Sequence, residues 1–325
     1  MGDPAGIGPE VIVKAFQDPG LSQADCQLIV VGDAAWLRAA ATRFAPGLLV
    51  YSIDRPENAH FRENVLEVID LNNVPEDLPL QQPSAAGGKA AVQYIRAAVD
   101  LAVQGRVNAI TTAPINKEGI HLAGHFYPGH TELLAEYTGV NDFALMMEGK
   151  KLRVVLATTH VSLNNVGEYL TRENLVKIIR LTHRWLSQHV VEAPKIALAG
   201  LNPHCGDGGI FGKEEAETII PAIEQTVSEG IRVEGPFPAD SLFPRAKSGE
   251  YDAIIAMYHD QGMIPVKMES LGHAVNITLG LPIIRTSVDH GTAYNIAGKG
   301  VASAQSLIEA IKTASQLAKS TSVLR

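Results

Sequence analysis

Short apolar, β-branched runs alternate along the chain with longer segments of helical periodicity. The runs fall at residues 28–31, Ala109–Thr112, 154–158, Ile196–Ala199 and 254–257, each with the length and composition of a buried strand. Between them, residues 90–103, 175–188, 214–228 and 304–317 place their apolar side chains on one helical face. This alternation predicts an α/β fold with a mostly parallel sheet covered by helices. The stretch 54–83, rich in Pro, Asn, Asp and Glu, reads as excursions between strands and not as a domain linker.

The chain opens on Met1-Gly2-Asp3-Pro4-Ala5-Gly6-Ile7-Gly8-Pro9-Glu10, a glycine-rich turn leading into a helical pattern. A strand is expected before such a turn. Pro9 suits the first helical position, and glycines such as Gly6 leave backbone amides open to an anion. A turn of this kind is structural more often than it is a phosphate cradle.

Three of the strand-like runs continue into a histidine: 154–158 toward His160, Ile196–Ala199 toward His204, and 254–257 toward His259. In open α/β sheets ligands bind beyond the C-terminal strand ends, where residues distant in sequence meet. Each histidine alone is most simply an ordinary loop residue. Together they suit a divalent metal, because imidazole ligates first-row ions and three protein ligands leave positions for substrate oxygens. Asp240 and Asp260 are candidates to orient these ligands or complete the shell, and both equally suit helix starts. Cys205, beside His204, suits a small packing role.

A second constellation comprises His130 and Thr131 at the start of a helical stretch, with Lys267, Asn276 and Arg285. Together they suit a phosphate and a carboxylate, which Lys and Arg hold by charge-assisted bonds. Lys267 and Arg285 both sit in apolar, strand-like sequence, where a charge needs a partner. Residues 289–300 combine turn glycines and polar side chains and read as a loop.

The 325 residues, 46% hydrophobic, suffice for two domains or one large one. A formal net charge of -8 without a long Lys/Arg cluster argues against nucleic acid or an anionic membrane as partner. Two cysteines, no signal-peptide pattern and no apolar run of membrane-spanning length make the cytoplasm the expected location.

The motifs Gly2 to Glu10, Pro128-Gly129-His130-Thr131-Glu132, Ala157-Thr158-Thr159-His160, Gly200-Leu201-Asn202-Pro203-His204, Tyr258-His259-Asp260-Gln261-Gly262, Val275 to Pro282 and Arg285 to Ala293 occur in one order. With them the chain closely resembles, nearly end to end, the 4-hydroxythreonine-4-phosphate dehydrogenase (PdxA) family of pyridoxal phosphate biosynthesis. The resemblance implies His160, His204 and His259 as metal ligands, and His130, Thr131, Lys267, Asn276 and Arg285 as substrate-binding residues. It implies two α/β/α domains with a central cleft, similar to isocitrate and isopropylmalate dehydrogenases. The expected division is a cofactor-side domain at 1–128 and 282–325 and a metal-binding and dimerisation domain at 129–281. The adenosine-binding loop of those dehydrogenases looks like 290–300, which proposes His290, Gly291, Thr292 and Asn295, with Gly6, for NAD or NADP. A homodimer with the active site at its interface is implied, as is a divalent ion such as Zn, Mg or Co. Cys205 stands where the family commonly has alanine.

The implied reaction oxidises C3 of 4-phosphohydroxy-L-threonine and then decarboxylates it to 3-amino-2-oxopropyl phosphate. Lys117 is a candidate for proton transfer, alongside the reading of a surface lysine, and Asp240 and Asp260 are the other catalytic candidates. Residues 121–130 look somewhat like a branch acting on D-threonate or D-erythronate 4-phosphate, which carry a C2 hydroxyl where the amino acid has an amine. A transferase resembling phosphate acetyltransferase, which would tolerate loss of His204, and a non-catalytic binding protein are the remaining readings.

Overall fold

The computed structural model describes residues 1–22, 24–270 and 272–323. Its strands, in chain order, are β1 (Val30–Gly32), β2 (Leu49–Ile53), β3 (Val65–Asp70), β4 (Ala109–Thr112), β5 (Ala144–Glu148), β6 (Arg153–Leu156), β7 (Ile196–Ala199), β8 (Val233–Phe237), β9 (Ala253–Ala256), β10 (Val275–Leu279) and β11 (Ile284–Ser287). With the helices between them they meet the α/β expectation. The chain divides into two compact units, one of Met1–Asn141 with Leu281–Lys319 and one built on Asp142–Gly280.

In the first unit, β1, β3 and β2 form a parallel sheet with β3 in the middle, and β4 pairs in parallel with β11. β3 corrects the reading of 54–83 as excursions: Val65, Leu66, Val68 and Ile69 make a strand, and Leu66 and Val68 are fully buried beside Val11 and Leu37. The polar residues on either side hide a run this short from a compositional reading. The first unit also runs on to Asn141 instead of ending at 128. Leu133 and Leu134 of helix His130–Thr138 are buried with Val92, Ile95 and Ile120, which binds that helix to this core.

In the second unit the strand order is β10-β5-β6-β9-β7-β8. β6, β9, β7 and β8 are parallel, and β5 runs antiparallel to both β10 and β6. β7 and β9 are buried at every position, as expected of strands covered on both faces. Helix His259–Ser270 seats on this sheet through Gly262, where an added Cβ would come within 2.8–3.0 Å of Val154, Leu156 and Ala256 side-chain carbons. Glycine is therefore required for the close approach that places His259 at the helix start.

The predicted helix at 175–188 forms as Arg172–His189, started by the Thr171 hydroxyl accepting from the Asn174 amide. The one at 214–228 forms as a π-type turn, Glu215–Ile219, followed by Ile220–Ser228. Lys267 departs from expectation: it lies exposed in the last turn of helix His259–Ser270, not in a strand. Of its apolar neighbours Met263 and Val266 are buried, whereas Ile264 is 55% and Met268 73% exposed, so the local run marks a helical face. No helix among the described residues is long and apolar enough to cross a membrane.

Candidate active site

In the second unit, three parallel strands deliver the three histidines. β6 leads to His160, β7 to His204 and β9 to His259. The His160 and His259 rings stand with centroids 5.9 Å apart, tilted by 36°. With metal–nitrogen bonds of about 2.0–2.1 Å, two rings at this separation can share one ion. Among the described residues, no group of three His, Cys, Asp or Glu is gathered to hold a metal. His259 Nδ1 and the Asp260 carboxylate are 2.7 Å apart, which fixes the ring and leaves Nε2 for a ligand. Asp240 lies in the first turn of helix Ala239–Lys247 and accepts from the Ser241 amide at 3.0 Å. Neither acid is the N-cap residue of its helix.

The backbone that carries the histidines is tied together tightly. Thr158 Oγ1 donates to the Met257 carbonyl at 2.8 Å, and the Ala157 amide donates to the Ala256 carbonyl at 2.8 Å. His204 begins a run of left-handed residues, with φ of 52° at His204, 56° at Cys205 and 45° at Asp207. Glu215, 4% exposed, holds that turn: it accepts from the Asn202 amide at 2.7 Å and from Asn202 Nδ2 at 3.0 Å. Sequence reasoning missed Glu215, because a glutamate in a helical stretch carries no signal that it faces inward. Cys205 is half-buried, and burial, with Glu215 and Asp240 nearby, pushes its thiol up. This supports the packing role expected of it.

In the first unit, β4 and β11 end on a ladder of hydroxyls. Thr111 bonds Thr286 at 2.9 Å, and Thr112 Oγ1 donates to Ser287 Oγ at 3.0 Å. Arg285 is almost wholly buried on this ladder and donates to Thr112 Oγ1 at 2.7 Å. Burial lowers its guanidinium pKa, and the Glu132 carboxylate opposes that shift. His130 opens helix His130–Thr138 and bonds the Ala113 backbone, while its Nε2 is buried with no hydrogen-bond partner. Burial, then the Arg285 charge, holds its pKa well below the ordinary 6.5, so the ring is neutral. A buried unpaired ring nitrogen costs roughly 1–3 kcal/mol until something binds it. Thr131 sits in the same first turn. Lys117 starts helix Lys117–Leu122, capped by Asn116, and its Cε would lie 3.9 Å from a Cβ placed on Gly129. Lys117, His130 and Arg285 thus belong to one neighbourhood. Lys267 and Asn276 lie on a helix and on β10 of the second unit.

The glycine-rich turn and the 290–300 loop also meet. The Ile7 amide donates to the Thr292 carbonyl at 3.0 Å, and a Cβ on Gly6 would strike Thr292 at 2.9 Å. Tyr294 donates to the buried Asp3 carboxylate at 2.6 Å, and Glu10 accepts from the Ala302 amide at 2.9 Å. His290 Nδ1 lies 3.0 Å from the Gly291 carbonyl oxygen, and its Nε2 is buried without a partner. Asn295 sits in the turn that follows Tyr294. A close backbone approach and an orphaned ring nitrogen suit a bound nucleotide.

A family model described as pyridoxal phosphate biosynthetic protein PdxA matches residues 24–314. The chain belongs to the PdxA family. It is 47% identical over 320 residues to a putative D-threonate 4-phosphate dehydrogenase of Oceanobacillus iheyensis, covering 98% of this chain and 96% of that protein. It is also 47% identical over 323 residues to a 4-hydroxythreonine-4-phosphate dehydrogenase of Trichlorobacter lovleyi, with the same coverage. A crystal structure of 4-hydroxythreonine-4-phosphate dehydrogenase from Klebsiella pneumoniae superposes with a TM-score of 0.91 at 44% identity, covering 98% of each chain. This PdxA-family chain is accordingly an oxidoreductase of the dehydrogenase type.

Proposed function

We propose that this chain oxidises a small phosphorylated hydroxy acid at C3 and then decarboxylates it, using NAD or NADP and a divalent ion held by His160, His204 and His259. The observation that carries the reading is the His160–His259 ring pair at the ends of two adjacent parallel strands. His204 completes the ligand set in a homodimer whose partner contributes to the site. Bound there, the ion supplies positive charge beside the substrate hydroxyl, and the nicotinamide supplies the hydride acceptor.

The chain's own residues do the rest. Arg285 donates to substrate carboxylate or phosphate oxygens and the His130 Nε2 accepts from a substrate hydroxyl, both from buried, preformed positions, so little reorganisation is needed on binding. Thr131, Lys267 and Asn276 supply further donors to phosphate and carboxylate. Lys117 takes the C3 hydroxyl proton as the C3 hydride leaves. After carbon dioxide departs from the resulting β-keto acid, a proton must be returned to carbon, and Lys117 or an Asp240- or Asp260-linked donor delivers it. Gly6, His290, Gly291, Thr292 and Asn295 hold the cofactor.

The first-choice substrate is 4-phosphohydroxy-L-threonine, giving 3-amino-2-oxopropyl phosphate. D-threonate or D-erythronate 4-phosphate is the second reading, supported by a relative named for D-threonate 4-phosphate that is as similar as the one named for 4-hydroxythreonine-4-phosphate. The test measures kcat/KM on each phosphate with NAD and NADP, with and without Zn, Mg or Co. A ratio of at least tenfold assigns the substrate, and no cofactor reduction under any combination sinks the proposal.

A further inference from the structure

Gln261 follows the family's His259-Asp260 pair but touches neither side chain's proposed ligand position. Its side chain instead spans two strand exits: Oε1 accepts from the Met257 amide at 2.7 Å, and Nε2 donates to the Gly200 carbonyl at 2.7 Å. The backbone register of β7 and β9 ends at Leu198↔Ile255. Gly200 and Met257 are each the next in-phase residue beyond that pair, where the two strands have begun to part toward His204 and His259. One primary amide, with its donor on one strand and its acceptor on the other, replaces the missing peptide-to-peptide bond.

The bridge continues to the third exit. The Met257 carbonyl, on the other side of the same peptide segment, accepts from Thr158 Oγ1 at 2.8 Å. Gly200, Gln261, Met257 and Thr158 thus form a continuous line of hydrogen bonds under the origins of His204, His259 and His160. The bonded atoms are shielded, and a lost partner would leave a backbone group unsatisfied where water enters poorly.

We propose that Gln261 is a positioning residue for the metal ligands, setting the spacing of the β7 and β9 exits by an amide whose polarity only glutamine supplies. This rests on the metal reading given above. Glutamate at 261 keeps the shape and the bond from the Met257 amide but sets a carboxylate oxygen against the Gly200 carbonyl. Methionine removes both bonds at similar volume.

The test titrates Co2+ alone into the full-length, metal-free protein for wild type, Q261E, Q261M, T158V and H204A, with thermal midpoint and steady-state kinetics on the same preparations. Q261E and Q261M are expected to weaken Co2+ binding by about tenfold, within the range for residues that brace a metal ligand. T158V, isosteric and severing only the Met257 carbonyl bond, is expected to weaken it by about threefold. At saturating Co2+, KM for the phosphorylated substrate is expected to stay within about twofold while kcat, normalised to the folded fraction that the thermal midpoint reports, falls. Wild-type Co2+ affinity in Q261E, with loss in H204A, overturns the role of Gln261 and leaves the metal reading standing. Wild-type affinity in H204A as well overturns the metal reading and the proposal with it. Should Q261E and Q261M not fold, T158V decides: unchanged Co2+ affinity there rejects the bridge.

Discussion

The two units prepare their functional groups in opposite ways. In the first, Arg285 is 2% exposed and the orphaned His130 nitrogen is buried beside it, so the cost of desolvating the charge and the ring nitrogen is met when the chain folds. In the second, His160 and His204 are exposed and the effort goes into the backbone beneath them, through Gln261, Thr158 and Glu215. A carboxylate or phosphate is recognised by fixed donors in a dry site, whereas an ion can draw exposed side chains to itself provided their origins are correctly spaced. One half holds its side chains by burial and the other its main chain by hydrogen bonds.

Substitutions should break this contrast in a graded way. The largest effect is expected for His160→Ala or His204→Ala: a fall in kcat/KM exceeding the roughly 10–100-fold typical of residues that only brace a ligand, with the thermal midpoint of the metal-free protein nearly unchanged. Equal activity at saturating metal would remove the histidine from the ligand set. Next, Arg285→Met should lower kcat/KM on the order of 100-fold, since charge-assisted bonds contribute about 1.5–3 kcal/mol each. Denaturant unfolding should show little or no loss of stability, because the cost of burying the cation is also removed. A large stability loss with intact kinetics would make Arg285 structural.

Glu215→Gln should behave in the reverse sense, lowering stability by about 1–3 kcal/mol through the loosened Asn202 turn. A drop in Co2+ affinity of about tenfold should accompany it. Wild-type values for both would show that the turn holds itself.

The smallest effect is one of pH. Folded His130 stays neutral well below the 6.5 at which the unfolded chain takes up the proton, so acid favours unfolding. Its contribution is complete above the unfolded value and is lost as pH falls toward the folded one, by at most about 1.4 kcal/mol per pH unit. His130→Gln should therefore flatten the decline in thermal midpoint between about pH 7 and about pH 5. An unchanged slope would place the titrating group elsewhere.

The sequence made the second unit's strands legible because apolar β-branched runs on covered parallel strands are hard to mistake, and each histidine follows such a run directly. β3 escaped because its alternation is brief and set among turn-forming residues. Lys267 was misplaced because Ile264-Pro265-Val266 resembles a strand until helical exposure separates Val266 from its neighbours. Arg285 was readable, since a lone charge in a strand implies a buried role. Glu215, Gln261 and Thr158 were not, because their work consists of bonds to main-chain atoms that no local pattern encodes.

The left-handed run from His204 to Gly208 restricts how this loop can change over time. For residues other than glycine such backbone angles cost roughly 1–2 kcal/mol each, and the turn already carries that load at His204, Cys205 and Asp207. Branched or bulky replacements there would be selected against before their chemistry mattered, and insertions would have to respect the same handedness. Variation around the loop is thereby left to positions outside this run, such as Asp240 and Asp260, which stand on right-handed helices.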